Sequence, residues 1–305
     1  MDTFKITAVV VTFNRLSCIK KVVSCLLSQT YFLQQIIIID NGSTDGTREW
    51  LDKQTNLHVI HQDNVGGSGG FYRGIQEALN FENDWIWCMD DDVYPRKDCL
   101  ENLLKSNGAN VGILCPRRIQ NGKIIYSECK KMNLSNPFKK LHLQVLSDDD
   151  ISQNNPVAIE GMAFEGPLVK RQVVETIGLP QKELFIFYDD TDYSYRTVLA
   201  GFKVLYVPLS VMDKEFFEKN VSKETFINKQ RWKLWYHIRN TSYFVMKYGK
   251  NSFYRIFGEF NLPIYMLCAI SFNLLLNQKY EWSDLKKVIY AFRLGKMGKL
   301  GKISF

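Results

Sequence analysis

Residues 85–93 read WIWCMDDDV, an apolar run followed without a break by three aspartates. A short apolar stretch rich in tryptophan predicts a strand covered on both faces. Ending that strand on Asp90, Asp91 and Asp92 puts charge at the carboxyl edge of a sheet, where ligands sit in open α/β folds. Adjacent carboxylates repel one another and call for a counter-ion. Asp90 and Asp92, being alternate, suit a hard divalent cation that keeps water and phosphate oxygens in the rest of its shell. A solvated acidic turn is the plainer alternative, and it is the reading given to Asp148–Asp150 in a polar loop.

Upstream the same order of strand and then polar motif recurs. ITAVVVT (6–12) and QIIIID (35–40) predict buried strands, with helices over 17–29 and 44–53 and a third strand at 57–61. DNVGGSGGFYRG (63–74) is predicted as a glycine-rich turn leading into a helix up to Asn80. Its glycines would let backbone approach a ligand, although it matches neither common phosphate-binding glycine pattern. Downstream, strands are expected at 111–115, 123–126 and 203–207, and a helix at 171–177. LFIFY (184–188) precedes Asp189, Asp190 and Asp192, read as a second strand end that opens a helix. Two such clusters suggest a metal at one and a general base at the other. The alternation defines an α/β fold.

The 305 residues are 46% apolar, and seven scattered cysteines form no CxxC pair, which fits a reducing compartment. No basic segment followed by an apolar one marks the first residues as a signal peptide, so a cytoplasmic protein is expected. Charge is uneven: residues 1–213 carry 22 Lys and Arg against 26 Asp and Glu, and residues 214–305 carry 17 against 6. A division at that point is expected, with a domain over 1–213 and a helical basic region over 214–305. The run 262–276 is apolar but shorter than the roughly 18–20 residues a spanning helix needs. Basic residues interleaved with Trp282, Tyr290, Phe292, Met297 and Leu300 suit the surface of an anionic membrane. No nucleic-acid-binding module is recognised.

Taken in order, TFNR (12–15), IDNGSTDGT (39–47), DNVGGSGGFYRG, MDDDV (89–93) and YDDTDYSYR (188–196) resemble the inverting, metal-dependent family 2 glycosyltransferases of the GT-A fold, a Rossmann-like mixed sheet that binds a nucleotide sugar. NVGGSGGF with DDD is most similar to the bacterial galactofuranosyltransferases and their rhamnosyltransferase relatives. The resemblance implies that Thr12, Phe13, Asn14, Arg15, Asp40 and Asn41 hold the nucleotide. Asn64, Gly66, Gly67, Gly69 and Gly70 would line the donor, with Asp91 beside it. It implies Mn²⁺ or Mg²⁺ on Asp90 and Asp92, and Asp190 as general base supported by Asp189 and Asp192. A histidine that often completes the metal site is missing from PLSVMDK (208–214), and Asp213 is the expected substitute. The segment around Trp232, Trp235, Tyr236, Arg239 and Asn240 resembles an RN-containing helix, with acceptor stacking and core packing both open. The implied partners are a UDP-sugar, a lipid-linked glycan acceptor and the cytoplasmic face of the inner membrane. A rhamnosyltransferase using dTDP-rhamnose, an inactive sugar-nucleotide-binding protein and a nucleotidyltransferase are the competing readings.

Overall fold

The structure is a computed structural model that describes residues 3–126, 129–217, 223–258, 261–275 and 280–304. The elements run β1 (Ile6–Thr12), α1 (Leu16–Leu27), β2 (Gln35–Asp40), α2 (Thr47–Leu51), β3 (His58–His61), α3 (Gly66–Ala78), β4 (Trp85–Asp90) and β5 (Val93–Pro95). They continue through α4 (Cys99–Leu104), β6 (Val111–Gln120), β7 (Lys123–Ile125), β8 (Lys130–Met132), β9 (His142–Gln144), α5 (Asp148–Ser152), β10 (Val157–Ile159), β11 (Leu168–Lys170), α6 (Arg171–Ile177) and α7 (Asp189–Leu199). Last come β12 (Lys203–Lys214), α8 (Lys223–Tyr248), α9 (Ser252–Phe257), α10 (Asn261–Leu275) and α11 (Trp282–Lys296).

The chain divides into two compact units. The first holds Met1–Lys131, Gln144–Lys182 and Asp190–Phe216, and the second holds Met132–Leu143, Glu183–Asp189 and Phe217–Phe305.

A mixed ten-stranded sheet ordered β10-β12-β6-β11-β4-β1-β2-β3 forms the first unit, with β5 beside β12 and β7 beside β6. β4, β1, β2 and β3 are parallel neighbours, so their carboxyl ends share one edge. Successive side chains point to opposite faces, and each face has its own helices. Ala8, Val10, Ile36, Ile38, Trp85 and Trp87 pack with residues of α1, α2 and α4. Val9, Val11, Ile37, Ile39, Ile86 and Cys88 pack with residues of α3, α6 and α7. Burial on both faces explains the unbroken apolar runs.

Four sequence expectations need correction. The glycines of 66–70 lie within α3 rather than in a turn before it. A Cβ at Gly70 would meet Val11 Cγ1 at 2.5 Å, and one at Gly74 would overlap Val9, so these glycines let the helix lie close on β1. LFIFY forms no strand: its start belongs to a single 3₁₀ turn, and Phe185, Phe187 and Tyr188 take φ values of +67°, +65° and +69°. The polar stretch after Ser147 carries a short helix, α5. β12 also runs on to Lys214, past Pro208, with a register shift between Val207 and Val211.

In the second unit α8 and α11 pack side by side, with Trp235, Ile238, Ile270, Val288 and Ala291 at the centre. Asp284 is buried there and pairs with Arg231 (3.2 Å) and Lys287 (3.1 Å). A Cβ at Gly295 would overlap the carbonyl oxygen of Arg239, so the helices touch backbone to backbone. Phe292 packs against this core, whereas Trp282 is 71% exposed. The C-terminal segment is therefore a structural part of its unit as well as a basic surface. Among the described residues no helix is long and apolar enough to cross a membrane.

Candidate active site

At the sheet edge the aspartates after β4 meet the loop after β1. Asp91, buried, accepts hydrogen bonds from Thr12 Oγ1 (2.7 Å), the Phe13 amide (3.4 Å) and Arg15 Nη1 (2.9 Å). Burial raises its pKa against the lowering effect of Arg15 and Thr12. Arg15 Nη1 also reaches Asp92 Oδ2 at 2.8 Å. Thr12 and Arg15, predicted as nucleotide contacts, thus brace the acidic cluster, while the Phe13 side chain is exposed.

The other predicted nucleotide residues come together beside it. Asp40 accepts from the Ser43 amide (2.9 Å) and faces His61 Nδ1 (2.8 Å). Asn14, at φ +53°, accepts from the Thr44 amide (2.7 Å) and donates its own amide to Ser43 Oγ. Asn41 donates to the Gly66 carbonyl (3.1 Å) and accepts from Gln62, and Asn64 Oδ1 accepts from the Gly66 amide (3.0 Å). These side chains shape the rim from which α3 starts. The glycines have separate duties. Gly66 supplies a φ of +80°, and Gly69 and Gly70 make room for Val65 and Val11. A Cβ at Gly67 would meet nothing within 4 Å among the described residues, so Gly67 alone is open to close approach.

Asp90 and Asp92 are the candidate metal ligands. Asp92 Oδ1 is buried without a hydrogen-bond partner, and Lys214 Nζ stands 3.8 Å from it. Asp90 accepts no hydrogen bond among the described residues, and its pKa lies well above the carboxylate range, through burial first and then the charges of Asp92, Glu165 and Asp91. An unsatisfied carboxylate oxygen beside a carboxyl that its neighbours destabilise as an anion is a donor set that fits a divalent cation. Asp213 does not join it. Both its oxygens are taken by Arg96 at 2.9 and 3.0 Å. Alternation along β12 turns Lys214, not Asp213, towards Asp92. Among the described residues no group of three or more His, Cys, Asp and Glu is arranged to hold a metal.

Glu165 was not singled out in the sequence. It accepts from Arg118 and from Lys214. Burial alone would raise its pKa, but those two cations hold it below the usual range. Lys214 stays protonated because Glu165, Asp92 and Asp90 outweigh its desolvation. An isolated Glu between glycine and phenylalanine carries no motif, and only the pairing of β12 with β5 and β6 brings Lys214 to it.

The second cluster opens α7. Asp190 Oδ1 accepts from the Thr191 amide (2.6 Å) and hydroxyl (3.2 Å). Asp192, 1% exposed, is held by Arg196 Nε at 2.8 Å, and Arg196 donates further to the carbonyls of Ile177 and Leu179. Asp192 therefore anchors the helix. Asp189 is buried. A ring stack links this helix to the glycine-rich one: Phe71 to Phe164 at 4.4 Å and Phe164 to Tyr193 at 5.9 Å.

A parallel-centred sheet with a nucleotide-type rim and an acidic strand end is the GT-A architecture, and solved structures agree. A crystal structure of GalNAc-T7 with UDP, GalNAc and Mn²⁺ matches with a TM-score of 0.60 at 17% identity, covering 90% of this chain and 57% of that one. The mannosyltransferase PcManGT from Pyrobaculum calidifontis, in complex with GDP-Man and Mn²⁺, matches with 0.53 at 14% identity, covering 96% and 87%. The model of glycosyl transferase family 2 matches residues 7–164, and the chain belongs to that family. Galactofuranosyltransferase GlfT1 of Mycolicibacterium smegmatis is 25% identical over 210 residues, which are 64% of this chain and 66% of that protein. The chain thus spans just under two thirds of that relative's length. Undecaprenyl-phosphate mannosyltransferase of Micrococcus luteus is 23% identical over 208 residues, 65% of this chain and 82% of the relative.

Proposed function

We propose that the protein transfers a sugar, galactofuranose from UDP-galactofuranose, with inversion onto a lipid-linked glycan acceptor. The observation that carries the reading is the Asp90–Asp92 pair, with its unpartnered buried oxygen at the end of β4. Similarity to GlfT1 supports the donor, and similarity to the undecaprenyl-phosphate enzyme supports a lipid-linked acceptor. Asp90 and Asp92 would hold Mn²⁺ or Mg²⁺; Asp213 has no part in the proposal. When bound, the cation neutralises charge on the departing diphosphate. The rim of Asn14, Asp40, Asn41 and Asn64 binds the nucleotide, with the donor passing Gly67. Asp91 keeps Arg15 in place, and Arg15 and Lys214 supply positive charge beside the acidic pair. Asp190 takes the proton of the acceptor hydroxyl, a poor nucleophile until that proton moves. Attack then displaces the diphosphate in one step. Asp189 and Asp192 support Asp190, the latter through Arg196.

Release of UDP or dTDP from UDP-galactofuranose, UDP-galactopyranose and dTDP-rhamnose, with and without Mn²⁺, tests this. Cation-dependent release from UDP-galactofuranose is expected. Preference for dTDP-rhamnose would make it a rhamnosyltransferase, and binding without release an inactive sugar-nucleotide-binding protein. Location at the cytoplasmic face of the membrane is part of the proposal, supported by basic residues 214–305 and by exposed Trp282, Ile289 and Tyr290. Sedimentation with anionic liposomes that fades in 1 M salt, where the screening length falls to about 3 Å, is expected. Substituting Trp282 and Tyr290 tests it better than deleting residues 278–305, since deletion would strip the core formed by Val288 and Ala291.

A further inference from the structure

The loop that delivers Asp189 and Asp190 is strained, and two buried side chains of α8 hold it. Phe185, Phe187 and Tyr188 all lie in the left-handed region, where a bulky residue is costly and persists only when its surroundings impose it. Asn240, 0% exposed, donates Nδ2 towards the carbonyls of Leu184 (3.0 Å), Ile186 (2.8 Å) and Phe187 (2.9 Å). Its Oδ1 accepts from Arg239 Nε at 2.7 Å, so partners at both ends fix which way the amide points. Arg239, 1% exposed, donates Nη2 to the Leu184 carbonyl (2.9 Å) and Nη1 to that of Gly301. Its described hydrogen bonds go to carbonyl oxygens and no carboxylate pairs with it among the described residues, and burial lowers its pKa to about 10, so it remains a cation at neutral pH. Thr241 completes the run by donating to the Tyr188 hydroxyl at 2.9 Å.

A buried cation and a buried amide spent on loop carbonyls serve the loop's shape more than the core. We propose that Arg239 and Asn240 are positioning residues that hold 184–188 in its left-handed course and thereby set Asp189 and the peptide link that leads on to Asp190. The proposal rests on the reading of Asp190 as proton acceptor.

The test uses the full chain, Mn²⁺ and UDP-galactofuranose, with water as acceptor, reading kcat for UDP release and donor affinity by calorimetry. Asn240→Asp keeps the shape and the Arg239 contact but turns a donor into an acceptor facing three carbonyls. It should lower kcat about 100-fold, the scale of a small misplacement of a reacting group, with donor affinity within about twofold. Adding Phe187→Gly should recover about tenfold, because glycine accepts φ near +65° freely. A merely structural role would move affinity and kcat together and show no such rescue. Should Asn240→Asp fail to fold, Thr241→Val removes one hydroxyl and should still lower kcat about fivefold at unchanged affinity. An unchanged kcat in the folded variant overturns the positioning role alone. A wild type that neither binds nor turns over UDP-galactofuranose, UDP-galactopyranose or dTDP-rhamnose overturns the functional reading, and the positioning role falls with it.

Discussion

The two acidic clusters are built in opposite ways. Asp90–Asp92 end a regular strand between parallel β1 and antiparallel β11, and their partners come from nearby strand ends: Thr12 and Arg15 at the end of β1, Lys214 on β12. Asp189–Asp192 open a helix after a loop with no regular structure, whose course depends on side chains some fifty residues later in the chain. The first cluster is a consequence of sheet geometry. The second exists because buried donors impose a backbone that local preference resists. Function in the first should be sensitive to charge, and in the second to geometry.

Substitutions that exchange charge for shape give the largest expected contrast. Asp190→Asn keeps volume but cannot take a proton, so kcat should fall about 10²–10⁴-fold, the usual share of general acid–base catalysis, with donor affinity intact. Asp92→Asn should do the reverse, weakening donor binding and abolishing its dependence on Mn²⁺. Calorimetry and UDP release on both variants check this; a kcat-only defect in Asp92→Asn would erase the contrast.

Next in size is the anchor of the second cluster. Asp192→Ala leaves Arg196 without its carboxylate beside the carbonyls of Ile177 and Leu179. Breaking such a buried pair costs about 3–5 kcal/mol. Urea unfolding should show a midpoint well below that of Asp190→Asn, which keeps the Asp192–Arg196 pair.

The comparison also shows what a sequence can reveal. β1, β2 and β4 were legible because two covered faces demand continuous apolar runs. The acidic strand end was legible because charge after such a run is conspicuous. The course of 184–188 was not, since LFIFY has the composition of a strand and only Asn240, far along the chain, forbids it. Glu165 was hidden for the same reason: its meaning comes from Arg118 and Lys214, across the sheet. The failed expectation for Asp213 was an error of one residue, and along a strand one residue is the opposite face. Two of the glycines have a packing duty that the sequence did not show, Gly70 against Val11 and Gly74 against Val9.

That last distinction makes a finer test within the first region. Gly70→Ala would press a methyl on Val11 and should cost about 1–3 kcal/mol, less the gain of about 1 kcal/mol from helix propensity. Gly67→Ala meets open space, so the fold should be as stable or slightly more so, and any loss should fall on donor affinity. Thermal unfolding and donor titration separate the two; a destabilised Gly67→Ala would contradict the division of duties.

The smallest expected effect is the pH response of the bridge between Asp92 and the sheet. Glu165 is largely buried, and although burial opposes its charge, Arg118 and Lys214 hold its pKa below the ordinary value. A carboxyl group whose pKa is lower folded than unfolded binds its proton more weakly in the native state. Its contribution is complete above the unfolded value of about 4.3 and is lost as pH falls through the folded one. Glu165→Gln removes that titration while leaving Arg118 and Lys214 in place. The variant should be less stable than the parent at neutral pH, and the gap should narrow below about pH 4, with a slope no steeper than one proton, about 1.4 kcal/mol per pH unit. Urea titrations at stepped pH measure it. Parallel stability curves for the two proteins down to pH 3 would mean that Glu165 does not carry its charge against these cations, and the first cluster would then lean on Arg15 alone.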